Sequence, residues 1–140
     1  MIKEYLKESL IFICNLAIPA NDLIIIGLGD LINFEEHLQE EISPNLFVIQ
    51  NELFLDAIYR FKKINNITYD NLVKEMSLEL GFEKVTYFLE DFRIFAIKYY
   101  FSNRFVLDKI KPLQKNYDDF LEDESKDQMI LNSLKNHEKY

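Results

Sequence analysis

Two histidines and one cysteine are the residues in this chain best suited to chemistry near neutral pH. Their spacing builds none of the usual centres. Di-iron and di-manganese helical bundles place Glu three residues before His. Here Phe34 stands three before His37, and Leu134 three before His137. No His-Glu-x-x-His occurs, and one cysteine cannot make a Cys-rich zinc site. No segment alternates Asp and Asn oxygens around a central Gly as a calcium loop does. Gly27-Leu28-Gly29 follows an apolar β-branched run, as a dinucleotide fingerprint opens, but Ile32 occupies the third small position and would obstruct close helix–strand packing. There is no Gly-Lys-Ser/Thr phosphate loop and no Gly-x-Ser-x-Gly elbow. Cys14 lies in the run Leu10-Ile11-Phe12-Ile13-Cys14 with no cation beside it, so it is expected to be a buried small hydrophobe. The chain therefore reads as a non-enzyme with no catalytic residue, no cofactor and no metal. Acidic pairs suited to glycosidic chemistry are too abundant here to single any out.

Carboxylates are the second kind of chemistry available. The chain has 24 Asp and Glu against 16 Lys and Arg, for a net charge of −8. The excess gathers in two places. One is Glu35, Glu36, Glu40 and Glu41. The other is Asp118, Asp119, Glu122, Asp123, Glu124 and Asp127, offset only by Lys126. The cations sit elsewhere, at Arg60, Lys62 and Lys63 and then at Arg104, Lys109, Lys111 and Lys115. Nucleic acid and anionic membrane both want a basic face, so neither is an expected partner. The bland reading of each cluster is a solvated helix face. The functional reading is a docking surface for a basic protein, such as a nuclease toxin domain with a positive substrate groove. There a carboxylate patch would both steer encounter and block substrate. The partner-binding residues on this reading are Glu35, Glu36, Glu40, Glu41, Asp118, Asp119, Glu122, Asp123 and Glu124.

The elements that must position these residues are helices. Three Gly and three Pro in 140 residues leave few obligatory turns. The pattern predicts an all-α, compact bundle of six to seven helices forming a single domain over 1–140. Ile2, Leu6, Leu10, Ile13 and Ala17 step by 4, 4, 3 and 4 along one face, and Pro19 closes that helix. Residues 23–32 read as a helix broken near the glycines, with a short strand near residues 23–28 as the other reading. Residues 34–42 form an acidic helical turn or two. Ser43 and Pro44 open a helix to about Ile64, with Leu46, Leu53, Phe54, Ala57, Ile58 and Phe61 inward and Asn51, Glu52, Asp56, Arg60 and Lys63 outward. Thr68 or Asp70 caps the next helix, and Gly81 stands where a left-handed residue would end it. Val85, Phe88, Leu89, Phe92, Phe95, Ala96 and Tyr99 make the inner face of a helix over about 83–103. The period continues from Phe105 to Leu121 across Pro112, which predicts a kink or two shorter helices. Residues 125–140 have few apolar anchors and are expected to form a marginal helix with a frayed tail over 136–140.

Nine rings between Phe82 and Phe105 are too many for one face. Tyr87 and Tyr100 fall near the polar side of their helix, where tyrosine suits a protein interface. This supports a second reading, a helical adaptor or regulatory domain acting through hydrophobic contacts, of which a homodimer is one form. A small enzyme with an acidic site comes third. In size, charge and helicity the chain is similar to the small acidic helical immunity proteins of bacterial toxin systems, and that similarity implies a toxin inhibitor. The richness in Ile, Asn, Lys, Phe and Tyr is what an AT-rich bacterial or phage genome encodes. The N-terminus has no positive region before its apolar stretch, which Asn15 and Pro19 interrupt, so a cytoplasmic location is expected.

Overall fold

The computed structural model describes residues 2–36 and 39–112, with the backbone alone at Glu41. The expected kink or continuation beyond Pro112, the marginal helix over 125–140, the tail over 136–140 and both histidines lie outside the described residues. The described residues are helical and loop-forming, and none of them forms a strand. In order the helices are α1 (Glu4–Ala17), α2 (Leu28–Leu31), a 3-10 turn (Glu40–Ile42), α3 (Pro44–Gln50), α4 (Glu52–Phe61), α5 (Tyr69–Leu80) and α6 (Phe82–Ser102). Contacts divide the chain into two compact units, Met1–Asn103 and Arg104–Tyr140. In the second, residues 104–112 are helical, with Lys109 Nζ 5.6 Å from the centre of the Phe105 ring.

The core of the first unit is aromatic and aliphatic in alternation. α1 contributes Leu6, Leu10, Ile13 and Cys14, all buried, and ends at Ala17, because Pro19 keeps Ile18 out of the helical region, at φ −131° and ψ 82°. α6 contributes Val85, Phe88, Phe92, Phe95, Ala96 and Tyr99, the face expected from the sequence. Phe47 of α3 lies 4.8 Å from Phe95, nearly parallel, and Phe54 of α4 lies 4.6 Å from Phe88 at 12°. Offset ring pairs of this kind add about 0.5–1.5 kcal/mol each beyond the area they bury.

Residues 23–32 differ from both readings of the sequence. The long helix is reduced to the single turn of α2, and no strand forms near residues 23–28. The Asn21 side chain accepts the amides of Leu23 and Ile24 at 2.9 and 2.8 Å, closing a tight loop before the three isoleucines can extend. The glycines then serve α1. A Cβ on Gly29 would lie 2.1 Å from the Ile11 carbonyl oxygen, and one on Gly27 would lie 2.2 Å from Asn15 Oδ1. Asn15 Oδ1 accepts the Gly29 amide at 2.8 Å. The pair thus permits backbone contact with α1 and buries Leu28 between them.

The helix expected over 44–64 is two helices. Asn51, at φ −125° and ψ 29°, breaks the ladder between α3 and α4. Its side chain, expected in water, is buried and donates to the Phe47 carbonyl at 2.9 Å. Beyond the break Ala57 and Ile58 are buried as expected, but Leu55 joins them and Leu53, expected inside, is exposed. At α5, Thr68 accepts the Asn71 amide as the N-cap, and Gly81 adopts φ +99°, a conformation that favours glycine.

Candidate functional site

The acidic segment after α2 is anchored where it leaves that helix. Asn33 Oδ1 accepts the Glu35 amide at 2.9 Å, so residues 34–36 form a turn, and of the helical stretch expected over 34–42 the described residues show only the 3-10 turn Glu40–Ile42. The buried Tyr99 hydroxyl accepts the Asn33 amide at 2.9 Å and donates to the Leu31 carbonyl at 3.2 Å. One phenol on α6 therefore anchors the loop that carries Glu35 and Glu36. Both carboxylates are exposed, as is Glu40. Asp118, Asp119, Glu122, Asp123, Glu124 and Asp127 lie outside the described residues, and for Glu41 only the backbone is described.

Glu40 shares a cleft with Asp91, outside the two acidic clusters of the sequence. A cleft of about 600 Å³ opens between the 3-10 turn, α3 and α6, and Glu40, Gln50, Asp91, Ile94 and Lys98 line it. Buried Phe47 and Phe95 form part of its wall. Among the described residues no salt bridge joins a cation to Glu35, Glu36, Glu40 or Asp91. Several cations are engaged elsewhere. Arg60 makes a two-pronged bond to Glu79, with Nη2 2.9 Å from Oε2, and also pairs with Asp56. That contact raises the Arg60 pKa and lowers that of Glu79. Lys62 pairs with Glu8 at 3.3 Å and Lys7 with Glu4 at 3.4 Å. Among the described residues no three His, Cys, Asp or Glu side chains converge on a metal position, and no helix is long and apolar enough to cross a membrane.

On its other flank α6 borders an apolar groove of about 570 Å³, lined by Ala17 at the end of α1, Tyr69 and Val73 of α5, and Phe82, Leu89 and Ile97 of α6. Between cleft and groove, α6 stands as a ridge bearing exposed Tyr87, Ile94, Ile97 and Phe101. Tyr87 is exposed as the sequence implied, whereas Tyr100 is half-buried against the core and edge-on to Phe101 at 5.4 Å.

Cys14 is buried, and burial pushes its thiol well above the ordinary value of 9.0. Tyr69 is raised by burial and then by Asp70. Tyr99 is raised by burial, against the lowering effect of the Asn33 amide, with Glu36 adding to the rise. All three favour the neutral form when folded. Their contribution is intact below the unfolded values and is lost as pH climbs through them. Stability in denaturant should therefore hold from pH 7 to about 9 and fall above that, through the thiol and phenol range near about 10. A midpoint level to pH 11 contradicts these assignments.

No protein-family model, curated protein or solved structure matches this chain.

Proposed function

We propose that this chain is a non-enzymatic binding protein that neutralises a basic protein partner, docking it where the acidic loop meets the outer side of α6. The observation that carries this reading is the set of exposed carboxylates at 35, 36, 40 and 91, none with a described cation, beside an exposed Ile94. Like charges outside any described salt bridge repel one another, and a fold retains such a patch at little benefit to itself. Presented to a basic surface, they gain charge-assisted hydrogen bonds and raise the encounter rate. Ile94 supplies the desolvated centre that an acidic rim needs for affinity. A nuclease toxin domain fits this chemistry, because its own phosphate-binding groove is cationic, and this chain would then act as its immunity protein. Such a partner should be encoded beside it.

The second reading, an adaptor working through hydrophobic contact, is favoured by the four apolar side chains along the α6 ridge. The two readings share one face and separate on charge.

The test uses the partner identified by mass spectrometry on immobilised full-length chain and then purified. Glu35→Lys, Glu36→Lys and Glu40→Lys combined should weaken binding at least tenfold at about 50 mM salt, mostly through the association rate. An unchanged Kd would reduce these carboxylates to solvated surface and leave the hydrophobic reading.

A further inference from the structure

α6 carries two faces. The buried one runs through Val85, Phe88, Phe92, Phe95, Ala96 and Tyr99. Opposite it run Glu83, Tyr87, Glu90, Ile94, Ile97 and Phe101, separated by steps of 4, 3, 4, 3 and 4. That alternation repeats every seven residues, the spacing at which a second helix stays in register along a seam. From Glu83 to Phe101 the seam is about 27 Å long, at about 1.5 Å per residue. Its apolar members are well exposed, with Tyr87 at 61%, Ile94 at 52%, Ile97 at 44% and Phe101 at 55%. Single exposed apolar residues are ordinary, but four at heptad positions on one 21-residue helix fall along one stripe, which Glu90 interrupts.

We infer that this seam captures an amphipathic helix of the partner, with Lys or Arg at the two positions that face Glu83 and Glu90. The inference rests on the binding reading above and specifies what is bound. The two glutamates decide the occupant. A carboxylate closed into a helix–helix seam must meet a cation or lose its hydration uncompensated. A second copy of this chain sets no cation directly opposite either glutamate. Parallel pairing of two α6 helices sets each glutamate against its own counterpart. Antiparallel pairing centred between Glu90 and Ile94 sets the glutamates against Phe101 and Ile94, and sets Asp91 and Arg93 each against its like. A foreign helix with an apolar stripe interrupted by two cations one heptad apart satisfies every position. Lys84 and Arg93 flank the seam, so the partner's cations belong within its stripe, opposite the glutamates, and not along its edges.

The experiment uses the full chain and two synthetic 21-residue helical peptides with the same leucine seam. They differ only at the two positions facing Glu83 and Glu90, which are lysine in one and glutamate in the other. Fluorescence anisotropy should give the lysine peptide a Kd at least tenfold below that of the glutamate peptide. Glu83→Lys with Glu90→Lys should invert the preference. Ile94→Asp should abolish binding of either peptide while leaving the circular dichroism spectrum unchanged. Equal affinity for both peptides overturns the charge selection, and binding of neither overturns the seam. A mass that doubles with concentration in sedimentation, and returns to that of one chain in Ile94→Asp, overturns the foreign helix in favour of a second copy. The Glu35→Lys, Glu36→Lys, Glu40→Lys chain is measured alongside. If peptide binding fails while that triple variant still weakens the protein partner, only the seam is wrong. If the triple variant also changes nothing, the electrostatic binding reading falls with it.

Discussion

Phe88→Ala should destabilise the first unit by about 3–5 kcal/mol, a large share of the 5–15 kcal/mol typical of a domain. Phe88 is fully enclosed, stacked on Phe54 at 4.6 Å and within 6.0 Å of Phe47 and 6.3 Å of Phe92. The loss has two parts. One is the apolar area returned to water on unfolding, which no longer favours folding. The other is a cavity walled by rings on α3, α4 and α6 that cannot collapse without moving three helices. Phe88→Leu fills most of that space and should cost about 1–2 kcal/mol, within the range for a partly repacked core. Denaturant midpoints of the two variants read the difference. A midpoint for Phe88→Ala equal to that of the parent would show that these rings do not hold the helices together.

Gly29→Ala should be nearly as damaging, at about 3 kcal/mol, although it adds one methyl group. That methyl would sit 2.1 Å from the Ile11 carbonyl oxygen and 2.8 Å from two atoms of the Asn15 side chain. A carbonyl inside α1 cannot swing aside, so residues 27–31 must lift. Lifting breaks the 2.8 Å bond from the Gly29 amide to Asn15 and exposes Leu28, now wholly buried. The same shift strains the Tyr99 bonds to Leu31 and Asn33, so the acidic loop should loosen together with the stability loss. Thermal unfolding measures the first effect, and amide exchange at Asn33 and Glu35 the second. A parent-like melting temperature with unchanged exchange would mean that the close approach to α1 carries no weight.

These two sites also mark where the sequence was readable and where it was not. α6 was legible because its buried residues recur at steps of 3 and 4 with no competing signal. α5 was legible because Thr68 and Gly81 act through their own backbone neighbours. The segment 23–32 was not. Its three isoleucines suit a strand or a helix about equally; Asn21 loops the chain before them, and the glycines after them answer to Asn15 and Ile11, more than ten residues away. The break at Asn51 was hidden for a related reason. One polar residue within an amphipathic run looks like a solvent position until its side chain turns back onto the Phe47 carbonyl.

The candidate site was half legible. The run of acids in the sequence singled out Glu35, Glu36 and Glu40, and each is exposed. Asp91 joins Glu40 only through the packing of the 3-10 turn on α6, and Tyr99 matters only because residues 31–33 fold onto it. The α6 ridge was present in the sequence as the 4-3 alternation from Glu83 to Phe101. It was obscured because the rings of the buried face and of the exposed face read as one aromatic run.

The association rate constant with the purified basic partner, measured from about 50 to 500 mM salt, tests the central claim most directly. If the exposed carboxylates steer docking, the rate should fall tenfold or more across that range while the dissociation rate changes little. Glu35→Lys, Glu36→Lys and Glu40→Lys together should then flatten the slope. A rate indifferent to salt, or a slope that survives the charge reversal, would contradict the account.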